Sequence, residues 1–326
     1  MSVFFDGFEQ FDKTEDLVAQ IRKAGYSVEG SNLVMGDGTN GRCLVTKQTS
    51  VTLVVPWVSD KMSIGVSAKF SGRGGLLSIN DNPVIADSVT GFLRWAGQSG
   101  TAIPIRGRWY FYDIQIDRAS DTFELFINGK SQGVGKPDLT FAGAQNITIK
   151  LNAFQSPTTL EQVNVRVDSV DSSTRYFDNL YVTDGERFGP MTITTRFPSE
   201  SITEEWDTHA DGEGISHAEI LGKLPSQELD RYIMTNKDGK TEVLKSDKTL
   251  PEEAGKVIGV GLVALVRKTN REDASIIFSV GNRTQDISDL PFVWGYRYAG
   301  WRVDDDPAKD SIEGAEIALK SSIRSV

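Results

Sequence analysis

Residues 109–130 read Trp-Tyr-Phe-Tyr-Asp-Ile-Gln-Ile-Asp-Arg-Ala-Ser-Asp-Thr-Phe-Glu-Leu-Phe-Ile-Asn-Gly-Lys, and this stretch decides the fold. Tyr110, Tyr112, Ile114 and Ile116 fall on one face of an extended chain, with Asp113 and Gln115 on the other. Side chains alternate across a strand, so a period of two marks a strand with one face buried. Phe123, Leu125 and Ile127 repeat the pattern and run into Asn128-Gly129. Both central residues of a type I′ turn need positive φ, which Asn and Gly tolerate, so this pair closes a hairpin.

The same alternation continues outward. Ile147, Ile149 and Leu151 oppose Thr148 and Lys150, and Val163, Val165 and Val167 oppose Asn164 and Arg166. Tyr176-Phe177-Asp178-Asn179-Leu180-Tyr181-Val182 forms a further strand that stops at Asp184-Gly185. Short strands broken by Gly, Asp and Asn predict an antiparallel sandwich. Two stretches read as helix. In the first, Thr14 caps Glu15 and Asp16, then the apolar stripe Leu17, Val18 and Ile21, with Gly25 as the stop. The second is a short turn at Pro251–Ala254. The expected class is all-β.

The length of 326 residues predicts two domains. The charged turn ending at Phe188-Gly189-Pro190 divides 1–188 from 189–326, and Met191–Arg196 starts a new alternation. Further strands are expected at Arg231–Thr235, Lys256–Val266, Ser275–Val280 and Glu316–Ser321. The first part carries 18 basic and 21 acidic residues, the second 17 and 24, so most of the net charge of −10 lies in the second. No fixed-period repeat or heptad run is present, which disfavours solenoids, propellers and coiled-coil shafts.

An acidic chain is a poor match to a phosphate backbone or to anionic lipid, so neither nucleic acid nor membrane is an expected partner. The longest apolar run, Val257–Val266, is far below the ~20 residues of a membrane helix. Met1–Gln10 has no basic segment followed by an apolar one, so no secretory signal is expected. A single cysteine, Cys43, excludes internal disulfides and multi-cysteine metal sites and fits a reducing compartment. Cys43 reads as a buried apolar thiol. His209 and His217 read as surface or loop residues, since no nucleophile elbow accompanies them.

An ordered set of features resembles the concanavalin A-like lectin/glucanase (laminin-G-like) jelly roll of tailed-bacteriophage structural proteins. These are Phe4-Phe5-Asp6-Gly7-Phe8, Gly41-Arg42, Trp109-Tyr110, Phe126-Ile127-Asn128-Gly129-Lys130 and Tyr176-Phe177-Asp178-Asn179-Leu180-Tyr181. Phe188-Gly189-Pro190, Glu205-Trp206, Gly300-Trp301 and the Gly314-containing final strand continue the order into a second β-rich assembly module. The resemblance implies a virion component of tail, baseplate or fibre, assembled in the host cytoplasm and contacting other phage virion proteins. It also implies a homo-oligomer, trimer or hexamer, and no enzyme or cofactor. Two alternatives stand beside it: a carbohydrate-binding module for host surface glycan, and a capsid decoration protein.

Glucanases on this fold place carboxylates at alternate positions of one strand, one to attack and one to protonate the leaving oxygen. Glu124 stands alone, and Asp168 and Asp171 do not alternate. Asp6 and Asp178, on strands expected to pair, read more simply as hydrogen-bonded strand ends. No catalytic residue and no metal site is therefore expected. Asp207–Gly214 and Asp304-Asp305-Asp306-Pro307 read as acidic loops, with at most weak surface calcium. Gly259-Val260-Gly261 is no phosphate loop and lets a backbone approach a strand. Glycan recognition would stack an exposed ring on a sugar face. Trp95, beside Arg94 in the loop-like Arg94–Gly100 stretch, is the first candidate and Trp57 after Pro56 the second. The competing account places both indoles in the core or at a subunit contact.

Overall fold

The expected hairpin is present: Ile127 pairs with Lys130, and φ is 47° at Asn128 and 77° at Gly129. In the computed structural model the described residues are 3–11, 16–39, 41–71, 74–80, 82–86, 92–95, 98–136, 143–151, 174–209, 214–222, 231–246, 256–269, 273–303 and 315–324. They form two units, Met1–Thr194 and Thr195–Val326.

The first unit opens with β1 (Val3–Asp6), α1 (Leu17–Lys23), β2 (Ser27–Glu29), β3 (Leu33–Asp37), β4 (Arg42–Thr46) and β5 (Ser50–Pro56). It continues with β6 (Lys61–Phe70), β7 (Gly74–Ile79), β8 (Asn82–Ala86), β9 (Leu93–Trp95) and β10 (Gln98–Ser99). The remaining strands are β11 (Tyr110–Asp117), β12 (Thr122–Ile127), β13 (Lys130–Gly135), β14 (Asn146–Leu151) and β15 (Arg175–Thr183). They build an antiparallel jelly-roll sandwich of two sheets. One sheet has the order β13-β12-β11-β6-β15-β4-β3, with β1 also on β15; the other runs β10-β9-β8-β7-β14-β5-β2.

The inner faces are those the alternation marks. Tyr112, Ile114 and Ile116 of β11 pair with Ile127, Leu125 and Phe123 of β12, and all six are buried. Trp95 crosses from the opposite sheet, its ring centroid 3.9 Å from that of Phe123. Helix α1 begins later than expected from Thr14, which lies outside the described residues. Asp16 is its cap, accepting from the Ala19 N–H at 3.1 Å, and Gly25 ends it at φ 89°.

The outer face of the β6–β11–β15 region is covered as well. Phe188 packs between Phe5 and Tyr181, with ring centroids 5.6 and 5.1 Å away. Arg187 lies 3.8 Å over the Phe126 ring, and the Ile193 N–H donates to Asn179 Oδ1 at 2.7 Å. Met191–Arg196, expected as a strand, is a strap outside the strands: its first four residues belong to this unit. The unit ends at Thr194, six residues past the expected Phe188.

The second unit comprises β16 (Pro198–Glu204), β17 (Asp207–His209), α2 (His217–Leu221), β18 (Tyr232–Met234), β19 (Thr241–Ser246) and β20 (Gly259–Val266). After these come β21 (Asp273–Val280), β22 (Arg283–Ile287), β23 (Gly295–Arg302) and β24 (Glu316–Arg324). A five-stranded sheet, β16-β19-β24-β21-β22, is joined by two ribbons, β17-β18 and β20-β23. Its core gathers Ile276, Phe278, Ile287, Leu290, Ala299 and Leu319, with Trp206, Leu262, Ala264 and Trp301 packed against them. Gly261 and Gly300 face each other across β20–β23, fitting close backbone approach. The expected strand at Val163–Val167 and turn at Pro251–Ala254 lie outside the described residues.

Gly65 on β6 tests this arrangement. A Cβ there would fall inside the ring of Tyr181, which is fully buried. Gly65→Ala is expected to destabilise the first unit by about 1–3 kcal/mol, the usual range for overpacking a filled site. Urea unfolding of the full chain measures this, and an unchanged midpoint would show that the ring is free to move.

Candidate functional site

The first sites to place are the expected sugar-stacking residues. Trp95 is 1% exposed on β9, and Trp57 is 3% exposed beneath the Arg118 guanidinium at 4.2 Å. Neither indole can stack on a ligand in this conformation; both are core residues, as the competing account held. The loop-like Arg94–Gly100 stretch is in fact strand at both ends, because β9 and β10 pair through Trp95–Gln98 and Arg94–Ser99. Arg94 is placed by its backbone alone.

The carboxylates of the first unit are taken up internally. Asp6 Oδ1 accepts from the Phe8 N–H at 2.7 Å and Gln10 Nε2 at 2.8 Å, and its Oδ2 accepts from the Tyr26 hydroxyl at 2.6 Å. Asp178 accepts from both the N–H and the hydroxyl of Thr39 at 2.7 Å. Both carboxylates are taken up by internal hydrogen bonds, as expected, but only Asp6 ends its strand; Asp178 lies inside β15, at the slip in its register. On the outer face of β11, Asp113 accepts from the Tyr181 hydroxyl at 2.5 Å and lies 3.5 Å from Arg187. Burial raises both Asp6 and Asp113 to about 6, against the opposing pull of these donors. Glu124 bonds to Ser131. Asp168, Asp171, Asp211–Glu213 and Asp304–Asp306 lie outside the described residues, while Asp207 and Thr208 stand on β17 instead of in a loop.

Cys43 is fully buried, donates to Asp37 O at 3.3 Å, and burial pushes its thiol up to about 12. It is held as a protonated thiol, as expected of a packing residue. Among the described residues, no group of three or more His, Cys, Asp or Glu is placed to hold a metal ion.

His217 departs from expectation. It is buried, with Nδ1 2.7 Å from Glu242 Oε2 and Nε2 3.0 Å from Thr208 Oγ1. A hydroxyl, an imidazole and a carboxylate in line have the order of a nucleophilic triad. Such a triad also needs free donors for a developing oxyanion. The nearby amides are already engaged: Trp206 N with Glu242, His217 N with Glu204, and Ala218 N with Ser201. The array acts as a polar clasp joining β17, α2 and β19. Ser216-His-Ala-Glu219 was its sequence signal, since Ser216 caps α2 by accepting from Glu219 N at 3.2 Å.

Among the described residues two surface clusters pair aromatic rings with a cation. On the outer face of the first unit, Lys69 Nζ lies 4.1 Å from the centroid of Tyr176 and 5.0 Å from that of Trp109. In the second unit, His209 stacks on Tyr232 at 4.3 Å, Trp294 meets Tyr232 edge-on at 5.3 Å, and Arg267 lies over both rings. Beside them Phe292 and Val293 are 59% and 74% exposed. The loop that carries this pair is fixed. Lys268 N donates to Pro291 O at 2.8 Å, Arg297 Nε donates to Asp289 O at 3.0 Å, and Leu290 is buried in the core.

No protein-family model and no curated protein sequence matches the chain. Solved structures resemble it at low identity. A sialidase aligns at 13% identity and a TM-score of 0.38 over 56% of this chain, the match spanning only 18% of the sialidase. The binding domain of botulinum neurotoxin serotype D/C aligns at 11% identity and a TM-score of 0.35, over 92% of this chain and 89% of that one. The alginate lyase AlyC3 gives 10% and 0.30, over 43% and 74%. Likenesses of this degree assign no ligand or activity. The class defined by the fold is a two-unit all-β protein with an N-terminal jelly-roll sandwich.

The two raised carboxyls set a pH dependence. Their folded value near 6 lies above the ordinary 3.8, so the folded state holds more protons between those limits. Their contribution to stability is therefore greatest below the ordinary value and is lost as pH rises through 6. A shift of this size corresponds to about 3 kcal/mol at most for each group. Relative to Asp113→Asn, the wild type should lose about 2–3 kcal/mol between about pH 4 and 7. Urea unfolding at the two pH values measures it; a pH-independent difference would show that Asp113 does not titrate in this window.

Proposed function

We propose that this chain is a non-catalytic assembly protein of a tailed-bacteriophage particle, acting at the tail, baseplate or fibres through contacts with other virion proteins. The observation that carries the reading is the Phe292–Val293 pair. An exposed Phe close to a Trp, a Tyr and an Arg has the composition of a protein interface and its hot spots. The surrounding loop is already ordered, so docking would not have to freeze it. Internal use of Asp6, Asp113 and Asp178 supports a role through surfaces instead of chemistry. The virion context rests on the resemblance carried by the ordered motifs of the first unit, from Phe4–Phe8 to Tyr176–Tyr181. Mass spectrometry and labelled electron microscopy of purified particles test this: the chain should be present in a fixed copy number at one location. Its absence from particles would remove the reading.

A second reading, host-glycan binding, is favoured by one observation. Trp109, Tyr176 and Lys69 offer two half-buried rings and a cation on the outer sheet face, where neither Trp95 nor Trp57 is available. Trp109→Ala should weaken binding to a glycan array at least about tenfold. Absence of glycan binding by the wild type would dispose of it.

A further inference from the structure

Charge within the second unit is sorted by element. Residues 256–269 and 290–303, which hold β20, β23 and the flanks of the Phe292–Val293 loop, contain five basic residues and no acidic one. The rest of 189–326 contains 12 basic and 24 acidic residues. The cationic element thus belongs to an otherwise strongly acidic unit. Asp289, at its margin, is bound to Arg297, with Nε 3.2 Å from Oδ2.

At the β16 edge of the five-stranded sheet the pattern is inverted. Strand β16 is an edge, and its exposed positions include Glu200, Ile202 and Glu204. Ile202 is 43% exposed between the two glutamates, and Glu219 is exposed on α2, which packs on β16. Hydrogen bonds from Ser201 and the His217 N–H hold Glu204 below its ordinary pKa and so keep it ionised. The Phe292–Val293 loop, between β22 and β23, is a separate surface: its Pro291 O accepts from Lys268 N just past β20, and Trp294 beside it meets Tyr232 of β18. The β16 edge therefore presents an apolar side chain framed by carboxylates, and the loop an apolar pair beside Arg267 and Lys268.

We propose that these two surfaces dock on each other between copies of this chain, the Phe292–Val293 tip of one copy seating against the β16 edge of the next. The inference rests on the assembly reading and names its partner. Charge decides the symmetry. A two-fold contact between tips would set Arg267 and Lys268 against their own copies, and one between β16 edges would set glutamate against glutamate. A head-to-tail contact pairs opposite charges and repeats, and builds a ring of three or more copies when the rotation between neighbours closes.

Sedimentation velocity of the purified full chain at about 0.05 M and about 0.5 M salt tests it. The expected result is a closed species of at least three copies whose dissociation constant weakens at the higher salt. Phe292→Asp with Val293→Asp should weaken association at least about 30-fold while leaving the melting temperature unchanged. Arg267→Glu should also weaken it, and adding Glu200→Lys should restore it. A wild type that is monomeric at both salts overturns the inference, as does a two-fold dimer, a ring indifferent to the tip variant, or a monomer that binds anionic vesicles through the tip. Failure of the charge swap to restore association overturns the β16 edge as the seat. Absence from purified particles would strike the virion reading and leave the ring, measured on the isolated chain, standing.

Discussion

Strand β15 serves three neighbours, and the first unit depends on how it manages this. It pairs with β6 and β4 on its flanks and carries β1 along its end, in a register that slips between Asp178 and Tyr181. The slip is made by Asn179 at φ 51°, a conformation that Asn tolerates better than most residues. Its side chain then secures the bulge, with Nδ2 donating to Thr39 Oγ1 and Ser67 Oγ and Oδ1 accepting from Ile193 N. Without the bulge, Tyr181 would not stand over Gly65 or reach Asp113 and Phe188. A single left-handed residue thereby sets both the sheet register and the course of the chain leaving it.

The two units divide their polar groups differently. In the first, buried carboxylates hold loops and strap to the sheet. In the second, Glu242 and His217 tie a short helix and an edge ribbon to the core, because a five-stranded sheet with small ribbons has less apolar area to do so. Among the described residues fewer of its side chains are fully buried, and its two most exposed large apolar side chains, Phe292 and Val293, are neighbours on one ordered loop.

Much of this was legible in the sequence. The alternation of Tyr110–Ile116 and Phe123–Ile127 and the Asn128-Gly129 pair named β11, β12 and their turn, because those signals depend on local backbone preference. Asp113 and Trp95 were not legible in the same way. Asp113 sits on the polar face of its strand and is nevertheless buried, because a segment more than 70 residues later in the chain lies across it. Trp95 looked like a loop residue among Arg, Gly and Gln, and its burial comes from Phe123 on the facing sheet. Met191–Arg196 alternates like a strand, yet the alternation serves packing against Gly7 and Asn179. His217 had a readable signal in Ser216-His-Ala-Glu219, while its partner Glu242 is a product of tertiary folding alone.

The strap has a mechanical side. Tension entering the chain at residue 195 meets the Ile193–Asn179 hydrogen bond first, then the contact of Pro190 with Gly129, then Phe188 between its two rings and Arg187 over Phe126. These attachments would yield one after another, before any strand of the sheet is peeled. The jelly roll is thereby shielded from pulling by a short sacrificial segment, which can re-seat once the force is removed.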